Sequence, residues 1–426
     1  MRMMLMILSL LMLWASLVGA QEASHMAGKE LTLQQAVSLA LQHHPVLRSL
    51  DAAEKQAGAE AAQLGRAPNP ELGLEIENFA GSGEASGFAS AEYTLFLSQT
   101  FELGDKRARQ QDVAGWEAEK IRWEAQLNSQ EITARATKAF IAILLAQTEL
   151  ALTEELAGLA RQDLEFVERL VSKGGASPVE LNRTRVAVSM ADLAVKTAFR
   201  TLLATRTQLS SLWDSKVPTF GTVTGELVAV GQIPSWEELS KNLDRSPQLK
   251  QWDLEASQRQ AEVALAAALG KVDLIASAGI RHYSDSGDNA VVASIAIPLP
   301  VHNKNQDGLR AAQIGRDRLD HERQVQYLSL LGELSRHYEQ LANAQGQISA
   351  FRDEILPLAE TSMTEMTKAY RKGKFKLTDV LAVRRTWFEV RGTYAASLAR
   401  YHETVVEINL LLGHDELASL ITKENN

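Results

Sequence analysis

Residues 92–107 read Glu-Tyr-Thr-Leu-Phe-Leu-Ser-Gln-Thr-Phe-Glu-Leu-Gly-Asp-Lys-Arg, and the hydrophobic period of the chain changes within this stretch. Tyr93, Leu95 and Leu97 alternate with polar residues, which is the period-two signal of a strand with one apolar face. From residue 105 to residue 172 there is no proline, and Ala, Glu, Gln, Arg and Leu dominate. At about 1.5 Å per residue this run predicts one helix on the order of 100 Å long, a length typical of coiled coils and bundles.

A second strand signal lies just upstream, where Leu72, Leu74 and Ile76 alternate with glutamates. Together the two strands predict a β-hairpin over about 71–101, with a polar, glycine-rich loop between them. The same pattern returns in the second half of the chain, which predicts another β-hairpin over about 272–299. Each hairpin would expose one apolar and one polar face.

The chain is organised as a duplicated unit in which short helices, a β-hairpin and a long helical hairpin follow one another twice. The long helical hairpins are predicted at about 105–213 and about 307–413, each broken by a glycine-containing turn. The predicted boundaries are a first repeat over 21–213, a linker over 214–234, a second repeat over 235–415 and a C-terminal tail over 416–426.

The N-terminus predicts export. Residues 3–18 are almost wholly apolar after Arg2, and the small residues at 18–20 end the run, which is typical of a signal peptide over 1–20. The chain of 426 residues has no cysteine, which excludes disulfides and thiolate metal sites. A formal net charge of -9 argues against nucleic acid as a partner.

Four short strands are too few to close a membrane barrel, since small barrels need about eight. Three copies of the chain would supply about twelve strands, with the apolar faces toward lipid and the acidic faces lining a water-filled bore. The residues predicted for that lumen are Glu71, Glu75, Glu77, Glu92 and Asp273. The alternative is that both hairpins fold as a soluble β-layer.

Four motifs carry a resemblance to a known family. Residues 99–107 resemble the Gln-Pro-hydrophobic-Glu-Leu-Gly-Gly-Lys-Arg signature of the TolC-like outer membrane efflux family, in its CzcC-type branch, with Thr100 in place of Pro and Asp105 in place of the second Gly. Residues 298–305 resemble the counterpart in the second repeat, and residues 173–181 and 370–381 resemble the two helical tips. The likeness covers nearly all of the chain after the signal peptide.

The resemblance implies a mainly α fold with a small β part: a TolC-like duplicated unit with a long antiparallel α-helical barrel, and four β-strands per protomer in a trimeric outer-membrane β-barrel. It implies a homotrimer in the outer membrane of a Gram-negative bacterium, with most of the chain in the periplasm and lipid around the barrel. The implied partners are a periplasmic adaptor and an inner-membrane resistance–nodulation–division pump. The branch implies export of divalent cations such as cobalt, zinc, cadmium or nickel, and no cofactor.

Carboxylates near the tips are candidates for the cation path. By resemblance, Asp379 lies where the family has aperture-lining aspartates, and Glu180 is its equivalent in the first repeat; in a trimer each would form a ring of carboxylates. A second family acid falls on Ala382, which is apolar here. Tyr370 is a candidate hydrogen-bonding residue of the gate. The alternatives are acids favoured in the first turn of a helix and an ordinary interhelical tyrosine.

The helical tips are predicted to meet the adaptor, with a plain solvated turn as the alternative. The residues concerned are Gly174, Gly175, Ser177, Pro178, Gly373, Lys374 and Phe375. Phe375 is an apolar group on an otherwise basic second tip.

The sequence predicts no enzyme and no metal centre. The histidines show no i, i+4 pair with a carboxylate base, and His43 and His44 point about 100° apart on a helix, too far to converge on one ion. Two further functions stay open from the sequence. One is a duct for multidrug efflux or type I protein secretion; the other is a secreted coiled-coil scaffold that never enters a membrane.

Overall fold

The computed structural model describes residues 30–83, 86–227 and 230–413. The predicted signal peptide (1–20) and C-terminal tail (416–426) lie outside these residues. The elements follow the chain in the order β1 (Glu30–Leu31), α1 (Leu33–His43), α2 (Pro45–Leu64), β2 (Glu71–Glu77), β3 (Glu92–Phe101), α3 (Lys106–Ser172), α4 (Pro178–Ser211), β4 (Thr222–Val223), α5 (Trp236–Asn242), α6 (Pro247–Leu269), β5 (Leu274–Tyr283), β6 (Asn289–Ala296), α7 (Gln306–Ala350), α8 (Leu356–Arg371) and α9 (Leu377–Leu412).

These elements form two compact units. Residues 49–125 and 248–327 form the first, called the strand unit below because it contains β2, β3, β5 and β6. The other described residues form the second, called the tip unit because it contains the turns between α3 and α4 and between α8 and α9. The helices α3 and α7 contribute residues to both units.

The strand unit contains a four-stranded antiparallel sheet in the order β2-β3-β5-β6. The β-hairpins of the two repeats meet in its centre, where β3 pairs with β5 from Glu92↔Tyr283 to Phe101↔Leu274. The outer strands β2 and β6 each have a neighbour on one side only. The sheet therefore has two open edges within one protomer.

One face of this sheet is apolar and the other is polar, as the alternation predicts. Residues that pair across antiparallel strands share a face, so the register assigns each side chain. The apolar face carries Leu72, Leu74, Ile76, Leu95, Leu97, Ala278, Ile280, Val291 and Ile295. Leu72, Leu97 and Val291 are 73%, 53% and 84% exposed, so a large apolar surface is uncovered in one protomer.

The tip unit has its core where α3, α7 and α9 contribute apolar side chains. Phe140 and Ile141 of α3, Leu334 of α7 and Val406 of α9 have no exposed surface. A two-stranded parallel sheet pairs Leu31 of β1 with Val223 of β4. One stretch of α3, with a mean hydropathy of 1.3, meets the length and composition criteria for crossing a membrane, but half of it is buried inside the structure.

The first long helical run of the second repeat is interrupted just before Pro357. The structure has a π-helical turn at Phe351–Ile355, directly before the helix that contains the proline. There the backbone N–H of Leu356 donates to the carbonyl of Phe351, five residues earlier. Proline has no N–H to donate and its ring crowds the preceding turn, so the wider turn relieves both problems.

The predicted fold class is confirmed: the chain is mainly α-helical, with a small β part of two hairpins joined in one sheet. The predicted helical hairpins at 105–213 and 307–413 correspond to α3 with α4, and to α7 and α8 with α9.

Candidate functional site

The turn between α3 and α4, called the first tip, is held by its own backbone. Gly174 has a φ of +72°, a left-handed conformation that favours glycine, and the N–H of Gly175 donates to the carbonyl of Leu170 at 2.8 Å. Ser177 caps α4, since its Oγ accepts the N–H of Glu180 at 3.2 Å, and Pro178 occupies the first helical turn. The first tip is therefore a compact, well-defined turn.

The turn between α8 and α9, called the second tip, repeats this geometry with different side chains. Gly373 also has a φ of +72°, and its N–H donates to the carbonyl of Tyr370 at 2.8 Å. The N–H of Lys374 donates to the carbonyl of Ala369 at 3.1 Å. Phe375 is 48% exposed, so its ring is not used to close the turn.

Asp379 lies in the first turn of α9, where its carboxylate has a structural partner. Its Oδ2 accepts the backbone N–H of Lys376 at 3.1 Å, and its Oδ1 accepts the hydroxyl of Thr378 at 3.4 Å. The carboxylate therefore caps its own helix. It is half-buried, so this role leaves part of the group facing solvent.

Tyr370 and Glu180 both lie in the tip unit, close enough for the charge of Glu180 to act on the phenol. The Tyr370 ring packs edge-on against Phe166, with ring centroids 5.6 Å apart. Burial first, and then the negative charges of Glu180 and Asp163, raise the pKa of Tyr370 to about 12. The phenol is therefore neutral at physiological pH and keeps its O–H as a donor. Among the described residues, Asp379 makes no hydrogen bond to either residue.

A buried ion pair close to Tyr370 was not predicted from the sequence. The guanidinium of Arg384 on α9 donates to the carboxylate of Asp163 on α3, and their side chains are only 4% and 14% exposed. Burial raises the pKa of Asp163, although the nearby charges of Arg384 and Arg371 oppose the shift. The Nε of Arg384 is buried and finds no hydrogen-bond partner among the described residues.

The sequence did contain a signal for this pair. Arg384 follows Leu377 and Val380 at the helical spacing of a buried stripe, and Phe388 continues the stripe. A charged residue at such a core position is expected to have a partner on a neighbouring helix.

The polar face of the sheet carries Glu71, Glu75, Glu77 and Glu92, as predicted, and also Arg281. Arg281 bridges three strands: it contacts Glu77 at 2.8 Å, Glu92 at 2.7 Å and the hydroxyl of Thr94 at 2.9 Å. Glu71 and Glu75 are exposed and form no ion pair with any residue that the structure describes. The predicted acidic face is thus partly neutralised at the Arg281 end.

Asp273 lies just before β5 and is bound to the segment that precedes α3. Its Oδ1 accepts the Nζ of Lys106 at 2.7 Å and the N–H of Leu103 at 3.1 Å. Lys106 is 7% exposed, which makes it a buried anchor of the Glu-Leu-Gly-Asp-Lys-Arg motif. Asp273 therefore joins the start of β5 to the segment before α3. Its position in the lumen of a barrel stays a prediction.

The structure describes no assembled metal centre: within residues 30–83, 86–227 and 230–413, no three His, Asp or Glu side chains converge as metal ligands. His402, the most deeply buried of the described histidines, is 2% exposed, and burial lowers its pKa to about 4. It is therefore a neutral core residue at physiological pH.

Comparison with known proteins gives a consistent result. A family model described as outer membrane efflux protein matches residues 36–214 and again residues 239–414. The chain is 29% identical over 394 residues to the cobalt-zinc-cadmium resistance protein CzcC of Cupriavidus metallidurans, covering 91% of each chain. It is 26% identical over 296 residues to the nickel-cobalt-cadmium resistance protein NccC of Alcaligenes xylosoxydans xylosoxydans, covering 69% of this chain and 65% of that protein.

Among solved structures, the fold is similar to that of CusC, studied for its folding and transmembrane channel formation. The TM-score is 0.73 at 17% identity, with 91% of this chain and 93% of CusC covered. At this identity the likeness shows a shared fold.

Proposed function

Because this chain belongs to the outer membrane efflux protein family, we propose that it is the exit duct of a tripartite pump that exports divalent heavy-metal cations. As a member of the family it is a transport protein of the Gram-negative outer membrane. The family excludes the alternative of a secreted scaffold. The cargo, the pump and the assembly are the parts that we propose.

The observation that supports the cargo is the likeness to CzcC over 91% of both chains, since that relative is named for cobalt, zinc and cadmium resistance. The polar face of the sheet agrees, because Glu71 and Glu75 leave an unbalanced negative charge that favours cations in a water-filled bore. The second candidate, a duct for drugs or secreted proteins, has no comparable support.

Deletion of the gene in its own strain tests the cargo. We expect greater sensitivity to cobalt, zinc, cadmium or nickel salts, with little change toward dyes and detergents, and full rescue by the wild-type gene. Equal sensitisation to metals and to dyes would favour the multidrug duct instead.

We propose a homotrimer as the assembly that closes the sheet. Four strands with open edges at β2 and β6 cannot span lipid, because unpaired backbone groups there cost several kcal/mol each. Pairing β6 of one protomer with β2 of the next would close about twelve strands into a barrel. A detergent-stable trimer in the outer-membrane fraction is the expected finding; a soluble monomer would exclude the barrel.

At the tips, we infer that Asp379 and Glu180 line the cation path, with Tyr370 as a neighbouring hydrogen-bond donor. Planar-bilayer recording tests Asp379. Asp379→Asn removes the charge while its amide oxygen can still accept the N–H of Lys376, so the cap is kept. We expect a lower divalent-to-monovalent permeability ratio at low salt, with Glu365→Gln as the control for an exposed acid of α8. An unchanged ratio would leave Asp379 with its capping role only.

The tripartite assembly further requires a periplasmic adaptor and an inner-membrane resistance–nodulation–division pump. The two tips are the surfaces that we propose for the adaptor: Gly174, Gly175, Ser177 and Pro178 at the first, and Gly373, Lys374 and Phe375 at the second. Both are exposed, tightly hydrogen-bonded turns, and so offer a fixed shape to a partner.

A further inference from the structure

The strands β2, β3, β5 and β6 together contain one lysine or arginine, which is Arg281 of β5. It lies on the polar face of the sheet, two residues before the end of its strand. Its two terminal guanidinium nitrogens contact Glu77 at 2.8 Å and Glu92 at 2.7 Å, and its Nε donates to the hydroxyl of Thr94 at 2.9 Å. The single positive charge of the strands is therefore fully engaged with two carboxylates.

The register of the sheet shows that this position differs from the other acidic positions of the polar face. Glu71 and Glu75 are exposed, and each is paired across the strands with a hydroxyl side chain. The residue directly opposite Glu77 is instead another acid, Glu92. Like charges at directly paired positions repel each other and destabilise the pair. Among the described strands, the one arginine thus lies where two carboxylates face each other.

Without the guanidinium, this carboxylate pair would suit a divalent cation. Oxygens that share one guanidinium are close enough for one zinc ion to bond to both at about 2.0–2.2 Å after small side-chain rotations. The carboxylate of Glu92 is already held in place, because its Oε1 accepts the Nδ2 of Asn78 at 2.7 Å. The Glu92 side chain is only 17% exposed, so a cation bound there would be partly shielded from water and salt.

The pair lies at the hairpin-loop end of the sheet. β2 ends at Glu77 and β3 begins at Glu92, whereas the helices join these strands at the opposite end, before Glu71 and after Phe101. If the polar face lines the bore of an export duct, these are the last charged groups of β2 and β3 that an outgoing cation passes. Conduction requires binding that is weak enough for the ion to leave, so a tight site at this end would retain the cargo.

We propose that Arg281 is a permanent counter-ion that prevents Glu77 and Glu92 from retaining a divalent cation, and that it thereby sets how readily the cargo leaves the duct. This inference rests on the proposed function. It divides the polar face into two kinds of acid. Glu71 and Glu75 are single carboxylates that attract divalent cations without holding them, and the pair that could hold one is occupied by the arginine.

A purely structural role for Arg281 would be a clamp between the β-hairpins of the two repeats. Both roles predict that loss of the arginine weakens the sheet, because two paired carboxylates are left to repel each other. The roles differ in the response to zinc. A zinc ion can take the place of the guanidinium only if Glu77 and Glu92 form a cation site, so a gain of zinc affinity on loss of Arg281 is specific to the proposal.

The first experiment measures block of the potassium current by zinc chloride, with the intact duct in planar bilayers. Arg281→Gln should lower the zinc concentration that halves the current by about tenfold, because the carboxylate pair is freed. The matched control is Arg385→Gln, which frees the single surface carboxylate of Glu389 and should leave the half-blocking concentration unchanged. An unchanged concentration in Arg281→Gln would overturn the proposal.

Two double variants of equal net charge separate a local site from a general increase in negative charge. Arg281→Gln/Glu77→Gln should return the half-blocking concentration to the wild-type value, because one member of the pair is lost. Arg281→Gln/Glu71→Gln should keep most of the lowered value, because Glu71 is six residues away from Glu77, about 20 Å along the strand. Equal recovery in the two variants would assign the block to the charge of the whole face and overturn the proposal.

Thermal unfolding of the purified protein in detergent covers the case in which Arg281→Gln assembles poorly. Zinc should raise the unfolding midpoint of this variant by about 3 °C, because the ion rejoins the two carboxylates. Zinc should have little effect on wild type or on Arg281→Gln/Glu77→Gln. The absence of a zinc-dependent gain in Arg281→Gln, including a failure to assemble both with and without zinc, would contradict the proposal.

Zinc resistance of cells that carry these variants connects the site to export. At equal amounts of protein in the outer membrane, Arg281→Gln should lower resistance, and the added Glu77→Gln should restore it. Wild-type resistance in Arg281→Gln would show that release does not depend on this residue. If the deletion strain is not metal-sensitive, the proposed function itself fails; if it is sensitive and Arg281→Gln behaves as Arg385→Gln, only the inference about Arg281 fails.

Discussion

At the scale of single residues, the buried pair of Arg384 and Asp163 shows that a charged side chain in the core requires a partner of opposite charge. A guanidinium with a side chain only 4% exposed needs its counter-charge, because an isolated buried ion is far more costly than a neutral side chain. The pair joins α9 to α3 next to Tyr370 within the tip unit. Loss of either partner is therefore expected to destabilise the tip unit strongly.

Arg384→Met should lower the free energy of unfolding by about 3 kcal/mol near neutral pH, because it leaves the Asp163 carboxylate buried without a partner. Urea unfolding of the detergent-solubilised protein measures this. Arg385→Met, at the next position, is the matched control: Arg385 pairs with Glu389 at the surface, so its loss should cost about 0.5 kcal/mol or less. Equal losses in the two variants would contradict a special role for the buried pair.

The same variant should show a defined pH dependence. Burial raises the pKa of Asp163 in the folded state above its unfolded value, so the folded protein binds a proton more readily. The raised pKa of Asp163 therefore contributes most to the free energy of unfolding below the unfolded pKa. This contribution is lost as the pH rises through the folded pKa. Without Arg384 the folded pKa rises further, so the cost of Arg384→Met should be smaller near pH 5 than near pH 7.5. A cost that grows on acidification would contradict this assignment.

The turn before α3 shows what the sequence could and could not predict at this scale. The resemblance marked Asp105 as a departure from an expected glycine. In the structure Asp105 has a φ of +59°, and Asn305 at the corresponding turn of the second repeat has a φ of +57°. Aspartate and asparagine tolerate the left-handed region better than other non-glycine residues. The family motif could flag the position, but only the backbone could show why the substitution is accepted.

At the scale of elements, the strands were predictable and their contacts were not. Period-two alternation located both hairpins and assigned their faces, because side chains alternate strictly along a strand. Alternation does not indicate which strands are neighbours, so the pairing of β3 with β5 could not be predicted from it. The bridge from Arg281 to Glu77 and Glu92 depends on that pairing, and was missed for the same reason.

Gly73 and Gly279 offer a test of how the sheet packs. A Cβ on Gly73 would lie 2.4 Å from the tip of the Phe96 ring, whereas one on Gly279 would lie 2.4 Å from the backbone oxygen of Leu95. Gly73→Ala should therefore destabilise the protein by about 1–3 kcal/mol, and Phe96→Ala should relieve much of that cost in the double variant. Gly279→Ala should not be rescued by Phe96→Ala, because the backbone cannot move aside. Thermal unfolding of the single and double variants measures the coupling, and its absence at Gly73 would contradict the packing.

At the scale of the whole molecule, the two faces of the sheet are relevant to where the protein is located, because an exposed apolar face is expected to contact a membrane. A soluble protein would cover Leu72, Leu97 and Val291, but in one protomer these side chains remain exposed. The family match and the likeness to CusC agree with a sheet that faces lipid on this side. Composition and period could predict that surface. They could not give the number of copies that share it, because the open edges require closure without fixing how many protomers provide it.

Two neighbouring residues of β3 test whether the apolar face of the sheet meets lipid. Leu97 lies on the apolar face and Ser98 on the polar face. A lysine at position 97 would therefore face lipid, and a lysine at position 98 would face the bore. A lysine facing the middle of the bilayer costs about 2–4 kcal/mol, and a trimer would bear that cost three times. Leu97→Lys should therefore sharply reduce the amount of trimer in the outer membrane, while Ser98→Lys should assemble normally. Heat-modified migration of the outer-membrane fraction on gels measures both. Equal assembly of the two variants would mean that the apolar face does not meet lipid, and the barrel would have to be abandoned.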